Sequence, residues 1–81
     1  MTTIAARVAR VVAKAFNHPE ADIRPETHVV NDLGADELGI LELTIDLESE
    51  FGLDLLPDSD LETCRTVAEW TAAIERATKG A

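Results

Sequence analysis

The sequence predicts a small all-α fold, a four-helix bundle formed by a single domain over residues 1–81. Three segments place apolar residues at the three- and four-residue spacings of an amphipathic helix, and no segment shows the alternation of a half-buried strand. One Trp and two Phe are the only aromatic residues, so the core must consist mainly of aliphatic side chains. Such a composition suits packed helices better than a sheet.

The first predicted helix covers about residues 3–17. Its apolar face contains Ile4, Val8, Val11, Val12 and Ala15. Pro19 should end it, because the residue before a proline, His18, is pushed away from helical dihedral angles. Residues 20–36 have no sustained periodicity and predict a long ordered connection. Its isolated apolar residues, which we expect to anchor it to the bundle, are Ile23, Val29, Val30 and Leu33.

The second predicted helix covers residues 37–51, and both of its ends carry capping residues. The Asp36 side chain can accept a hydrogen bond from a free backbone N–H, and Glu37 complements the positive end of the helix dipole. Gly52 supplies a C-terminal stop, because glycine readily adopts the left-handed conformation that closes a helix.

Two further helices complete the predicted bundle. A short helix is expected at about residues 58–63. The last helix, about residues 66–77, opens with the capping box Thr66-Val67-Ala68-Glu69. The first, second and last helices should enclose a core of Val8, Val11, Phe16, Leu43, Leu47, Phe51, Trp70 and Ile74.

The chain is strongly acidic, and its charge is unevenly distributed. The net charge is −9, and between Arg24 and Arg65 there is no Lys or Arg, whereas twelve Asp and Glu residues fall there. Nucleic acid and anionic membrane surfaces attract basic faces, so we expect neither as a partner and favour a protein with a basic surface. No apolar run approaches the roughly 20 residues of a membrane span. We expect a cytoplasmic monomer, in which the lone Cys64 forms no internal disulfide.

The second helix carries two apolar stripes. Ile40, Leu43, Leu47 and Phe51 form the first stripe, which is expected to face the core. Leu38, Leu41 and Ile45 form the second stripe, roughly opposite the core, and carboxylates border it. Either the connection or the short helix covers this second stripe, or it is exposed and enters an apolar groove on a partner rimmed by Arg and Lys.

Residues 32–43 resemble the signature Asp-Leu-Gly-x-Asp-Ser-Leu-x-x-x-Glu-Leu of acyl carrier proteins, here with Glu37 at the serine position. The likeness extends to the long connection, to Phe51-Gly52 and to the Thr66-Val67 pair. It implies an acyl-carrier-like bundle whose second helix docks onto basic patches of synthases, acyltransferases and the pantetheinyl transferase. The predicted docking residues are Asp36, Leu38, Leu41, Glu42, Ile45, Asp46 and Glu48.

Position 37 decides whether the resemblance extends to carrier chemistry. In the family, the serine hydroxyl attacks the pyrophosphate of coenzyme A and forms a durable phosphodiester with phosphopantetheine. A Glu37 carboxylate would form an acyl phosphate, which water removes, so we expect no attached cofactor unless the functional protein has serine at this position. Thr44, Ser49 and Ser59 do not occupy the start of the second helix and are poor substitutes. Glu37 also partly resembles the charge of a phosphodiester, which leaves mimicry of the loaded state as a hypothesis.

Other site chemistries find little support in the sequence. His18 and His28 have no metal-ligand spacing with Cys64, and nothing positions a Cys/His catalytic pair. The acidic run from Asp54 to Glu62 lacks the turn glycine of a calcium loop. We therefore predict no metal site and no catalytic residues.

The sequence thus predicts a non-enzymatic acyl-carrier-like module of fatty-acid, polyketide or related acyl-chain biosynthesis, which acts by docking to partner enzymes. A conventional carrier of acyl thioesters is the alternative if the functional protein has serine at position 37. A small helical regulator unrelated to acyl transfer is the third possibility.

Overall fold

The structure, a computed structural model, describes residues 3–53 and 64–79. Helix α1 spans Ile4–Phe16, a short 3-10 helix spans Glu20–Asp22, α2 spans Glu37–Phe51, and α3 spans Val67–Lys79. Within these residues there is no strand, and an isolated antiparallel bridge joins His28 to Thr66. The all-α prediction is therefore confirmed, whereas the predicted short helix at residues 58–63 lies outside the described residues.

Helix α1 begins at the Thr3 N-cap, whose hydroxyl accepts a hydrogen bond from the Ala6 N–H at 3.1 Å. The prediction that Pro19 ends this helix is wrong. The helix stops at Phe16 because Asn17 adopts the left-handed conformation, with φ 56°. The N–H groups of Asn17 and His18 then both donate to the Ala13 carbonyl. Asparagine tolerates this conformation better than most residues, so Asn17 rather than Pro19 ends the helix.

The long connection is ordered by buried side chains and by backbone hydrogen bonds to the segment before α3. Ile23 and Val29 are buried, while Val30 and Leu33 are half-buried. The Val29 N–H donates to the Arg65 carbonyl at 2.8 Å, and the Val67 N–H donates to the Thr27 carbonyl at 2.9 Å. The predicted anchoring of this connection is confirmed.

Helix α2 has the bounds that its capping residues predict. The Asp36 carboxylate accepts a hydrogen bond from the Gly39 N–H at 2.7 Å. At the other end, Gly52 closes the helix in the left-handed conformation, with φ 65°.

Helix α3 opens with the predicted capping box and extends to residue 79, slightly beyond the predicted end. The Glu69 N–H donates to the Thr66 hydroxyl at 3.2 Å, and the Thr66 N–H donates to the Glu69 carboxylate at 2.8 Å. Hydrogen bonds from the backbone N–H groups of Thr66 and Arg65 hold the pKa of Glu69 below its ordinary value.

The core lies where α1 packs against both α2 and α3. The largest fully buried side chains are Trp70, Leu43, Leu47, Ile74, Val8, Val12 and Val29. The predicted core was wrong in three members, because Val11, Phe16 and Phe51 are only half-buried at its edge. Val12 and Val29 are fully buried instead. None of the helices in the described parts of the chain is long and apolar enough to cross a membrane.

Candidate functional site

The candidate site is centred on the N-terminus of α2. Asp36 caps this end, and Glu37 follows as the first helical residue with an exposed side chain. The turn before the helix is closed by two backbone hydrogen bonds, from the Gly34 N–H to the Val30 carbonyl at 3.0 Å and from the Ala35 N–H to the Val29 carbonyl at 2.9 Å. These bonds fix where α2 begins relative to the connection.

Gly39 permits close packing at this end of α2, and the sequence interpretation had not singled it out. A Cβ atom on Gly39 would lie 3.3 Å from the Asp36 carboxylate and 3.4 Å from the Phe16 ring. Both contacts are tight, so the absence of a side chain lets the cap and the end of α1 approach the first turn of α2. The only sequence signal for this role is a glycine three residues after an N-cap aspartate.

The second apolar stripe of α2 is exposed, and we call it the outer ridge. Leu38, Leu41 and Ile45 are 60%, 51% and 54% exposed. The connection predicted as one possible cover therefore leaves the outer ridge open to solvent. Burial within the fold of the described residues does not account for these three apolar side chains.

The carboxylates around the outer ridge differ in how available they are. Glu42 and Asp46 are exposed. Asp36 is exposed too, but one of its oxygens caps α2. Glu48 is half-buried and already has an interaction partner. Glu42 and Asp46 are therefore the most accessible of the carboxylates beside the outer ridge.

An open groove of about 970 Å³ lies beside the outer ridge, and we call it the α2 groove. Its lining residues include Val30, Ala35, Glu37, Ile40, Leu41, Thr44 and Arg65. Among the described residues that line the groove, Arg65 is the only cation, and its guanidinium donates to the Cys64 carbonyl at 2.8 Å. The sequence interpretation missed Arg65 because the connection brings it to the groove from a distant part of the chain.

A protein-family comparison agrees with this arrangement. The family described as the phosphopantetheine attachment site matches residues 6–74, which include the connection, all of α2 and most of α3. The chain belongs to the phosphopantetheine attachment family. Domains of this family are non-catalytic carriers for acyl-chain biosynthesis that interact with biosynthetic enzymes and normally carry phosphopantetheine.

The side chains of this carrier domain can be tested for their fit to a phosphopantetheine arm. A phosphodiester needs a hydroxyl, and the first turn of α2 has none. The Thr44 hydroxyl is buried and donates to the Ile40 carbonyl at 2.9 Å. Ser49 lies about 18 Å along the helix from Glu37. The described residues at this end of α2 thus do not fit covalent attachment, and Ser59 lies outside them.

The described residues contain no group of three or more His, Cys, Asp or Glu side chains arranged to hold a metal ion. The acidic run from Asp54 to Glu62, rejected above as a calcium loop, lies outside them. The Cys64 thiol is buried, and its Sγ contacts the Glu69 carbonyl at 3.6 Å.

Proposed function

We propose that this chain is a carrier-type docking domain of acyl-chain biosynthesis that binds basic-surfaced enzymes through α2 without bearing phosphopantetheine. The exposed outer ridge carries the proposal. Leu38, Leu41 and Ile45 each leave more than half of their side chain in water, although the same helix buries Leu43 and Leu47 completely. A partner groove that covers the ridge would remove this apolar surface from water.

Apolar burial and charge have different roles in the proposed complex. Covering a half-exposed Leu or Ile contributes on the order of 1 kcal/mol, so three such side chains supply a substantial part of a weak, reversible association. Glu42 and Asp46 flank the ridge and would meet Arg or Lys at the rim of the partner's groove. Their charges set the association rate and the orientation more than the final affinity.

Glu37 is the reason for proposing a domain without the arm. Attack of its carboxylate on the pyrophosphate of coenzyme A would yield an acyl phosphate, an activated anhydride that water hydrolyses. No hydroxyl replaces it in the first turn of α2, and the Thr44 hydroxyl is buried within the helix. Docking is therefore the function that this surface retains.

Mass spectrometry after incubation with coenzyme A and a promiscuous pantetheinyl transferase tests the attachment chemistry. The chain as written should gain no mass, whereas Glu37→Ser should gain one phosphopantetheine arm because its recognition surface is intact. A mass gain on the chain as written would overturn the loss of attachment. Failure of Glu37→Ser to load would instead favour a regulator that does not dock like a carrier.

The loading rate of the Glu37→Ser variant then provides a measure of docking. Adding Ile45→Arg should slow loading at least about tenfold at low substrate concentration, because it replaces one of the three apolar ridge side chains with a cation. The matched control is Ala21→Arg, which adds the same charge at an exposed position in the 3-10 helix. Equal loading rates for the two variants would contradict docking through the outer ridge.

A further inference from the structure

His28 caps a single helical turn at residues 28–32, a role that histidine rarely has. Its Nδ1 accepts hydrogen bonds from the Asn31 N–H at 2.9 Å and the Val30 N–H at 3.2 Å. The His28 N–H donates in return to the Asp32 carboxylate at 2.8 Å, and the Asp32 N–H donates to the His28 carbonyl at 2.8 Å. The arrangement is a reciprocal cap in which the imidazole replaces the usual hydroxyl or carboxylate.

This geometry defines the protonation state of the ring. An imidazole nitrogen accepts hydrogen bonds only through a lone pair, so Nδ1 carries no proton and the ring proton is on Nε2. When histidine becomes cationic, both ring nitrogens are donors. An Nδ1–H would then face the N–H groups of Val30 and Asn31, and both capping hydrogen bonds would be lost.

The capped turn is connected directly to the candidate site. Val30 lines the α2 groove, and its carbonyl accepts from the Gly34 N–H. Val29 is fully buried, and its carbonyl accepts from the Ala35 N–H, one residue before the Asp36 cap of α2. Loss of the His28 cap would therefore loosen a wall of the groove and the residues that position the start of α2.

The charged residues near His28 come from two segments of the chain. Asp32 lies on its own turn, and Arg65 and Glu69 come from the segment paired with it through the bridge to Thr66. The carboxylate of Glu69 is close enough that a positive His28 contributes to lowering its pKa. A cationic ring would lose its hydrogen bonds from the backbone N–H groups and would be attracted to the Glu69 carboxylate.

We propose that His28 is a pH-sensitive switch for the α2 groove: the neutral ring holds the turn at residues 28–32 closed, and protonation releases it. Histidine is the side chain whose charge ordinarily changes between about pH 5 and pH 8. The consequence for docking rests on the function proposed above. The opening of the turn at residues 28–32 does not depend on that function, because it occurs in the free protein.

Amide hydrogen exchange of the free protein tests the switch without any partner. Protection factors, which already divide out the intrinsic pH dependence of exchange, are measured at about pH 8 and about pH 5.5. The amides of Val30 and Asn31 should lose about tenfold in protection at the lower pH, as expected for broken capping hydrogen bonds. Imidazole ¹⁵N shifts recorded in the same titration should change from the Nε2–H tautomer to the cation over the same range.

Two variants test whether the loss of protection at low pH depends on His28 or on acidification of the protein in general. His28→Asn supplies a non-titrating cap, because asparagine is among the best N-cap residues, and should keep both amides protected at the two pH values. His18→Asn removes the chain's other histidine, which is exposed, and should behave like the parent. A loss of protection that persists in His28→Asn, or no loss in the parent while the ring titrates, would overturn the proposal.

Discussion

Glu37 occupies the first position of α2, where its exposed carboxylate lies at the positive end of the helix dipole. A phosphodiester on a loaded carrier would place negative charge at the same end of the helix. Glutamate has about one charge and a shorter reach, so it reproduces this feature only in part. We therefore expect Glu37 to contribute a modest part of the affinity for a basic partner.

Replacing Glu37 with glutamine isolates this charge from side-chain size. The unloaded chain should inhibit loading of the Glu37→Ser variant by a pantetheinyl transferase, and Glu37→Gln should inhibit about two- to fivefold less well, as for the loss of one exposed ion pair. Inhibition constants from competition kinetics provide the measurement. Glu20→Gln, an exposed site in the 3-10 helix, is the matched control. Equal inhibition by Glu37→Gln and the parent would count against charge mimicry.

Two single residues outside the helices, Asn17 and His28, were the hardest to interpret from the sequence. Asn17 ends α1 through a left-handed backbone, and His28 caps a turn through its ring. Neither residue belongs to a hydrophobic period, and both act through backbone geometry. By contrast, Asp36 and Gly52 are residue types with strong and specific preferences for helix ends, so their roles were predictable.

At the scale of the element, α3 has an electrostatic cap that couples its stability to pH. The Glu69 carboxylate accepts from the N–H groups of Thr66 at 2.8 Å and Arg65 at 2.9 Å, and these bonds lower its pKa. A carboxyl group whose pKa is lower in the folded state stabilises the fold above the pKa of the unfolded chain. This stabilisation is lost as the pH falls through the lower, folded value.

The free energy of unfolding of Glu69→Gln should be lower than that of the parent at pH 7 by on the order of 0.5 kcal/mol. The difference is small because water screens the charge of this exposed side chain. The difference should shrink as the pH falls below the ordinary value of 4.5. Urea unfolding at several pH values gives the free energies. Glu75→Gln, exposed on the same helix, should show a smaller difference at pH 7. A pH-independent difference for Glu69→Gln would refute the electrostatic explanation.

The two apolar faces of α2 could be located from the sequence, but their exposure to solvent could not. Both stripes are equally apolar, and periodicity alone separates them without saying which contacts solvent. The four-residue spacing of Leu43, Leu47 and Phe51 predicted the core face correctly, although Phe51 is only half-buried. Exposure of the outer ridge depends on the path of the connection, which no local pattern specifies.

At the scale of the whole molecule, Arg7 joins the start of α1 to the end of α2. Its guanidinium donates to the Glu50 carbonyl at 2.9 Å and to the Glu50 carboxylate at 3.1 Å. It also lies 4.3 Å from the centroid of the Phe51 ring. These contacts cover the half-buried Phe51 at the edge of the core and hold two distant chain segments together.

Arg7→Ala should lower the free energy of unfolding by about 1 kcal/mol, because it removes a partly exposed ion pair, a hydrogen bond to a carbonyl and a cation–π contact. Arg10→Ala, at an exposed site one turn further along α1, is the matched control and should have little effect. Urea unfolding at low and high salt measures both. High salt should reduce only the ionic part of the difference, so a difference that vanishes in salt would contradict the contribution of ring packing.

Local hydrogen bonding explains what the sequence by itself determined. The bounds of α2 and the capping box of α3 rest on residues within a few positions of one another, and the all-α class and the family resemblance rest on several such local patterns along the chain. The lack of a hydroxyl at position 37 is likewise determined by the sequence, because it is a property of the side chain alone.

Only the tertiary structure decided which surfaces are open and which side chains meet. It left the outer ridge in solvent, brought Arg65 to the α2 groove, and placed His28 opposite Thr66. Each of these depends on a connection that folds back across the bundle and pairs with residues far along the chain. Burial is a property of the packed chain as a whole, so no short window of sequence contains it.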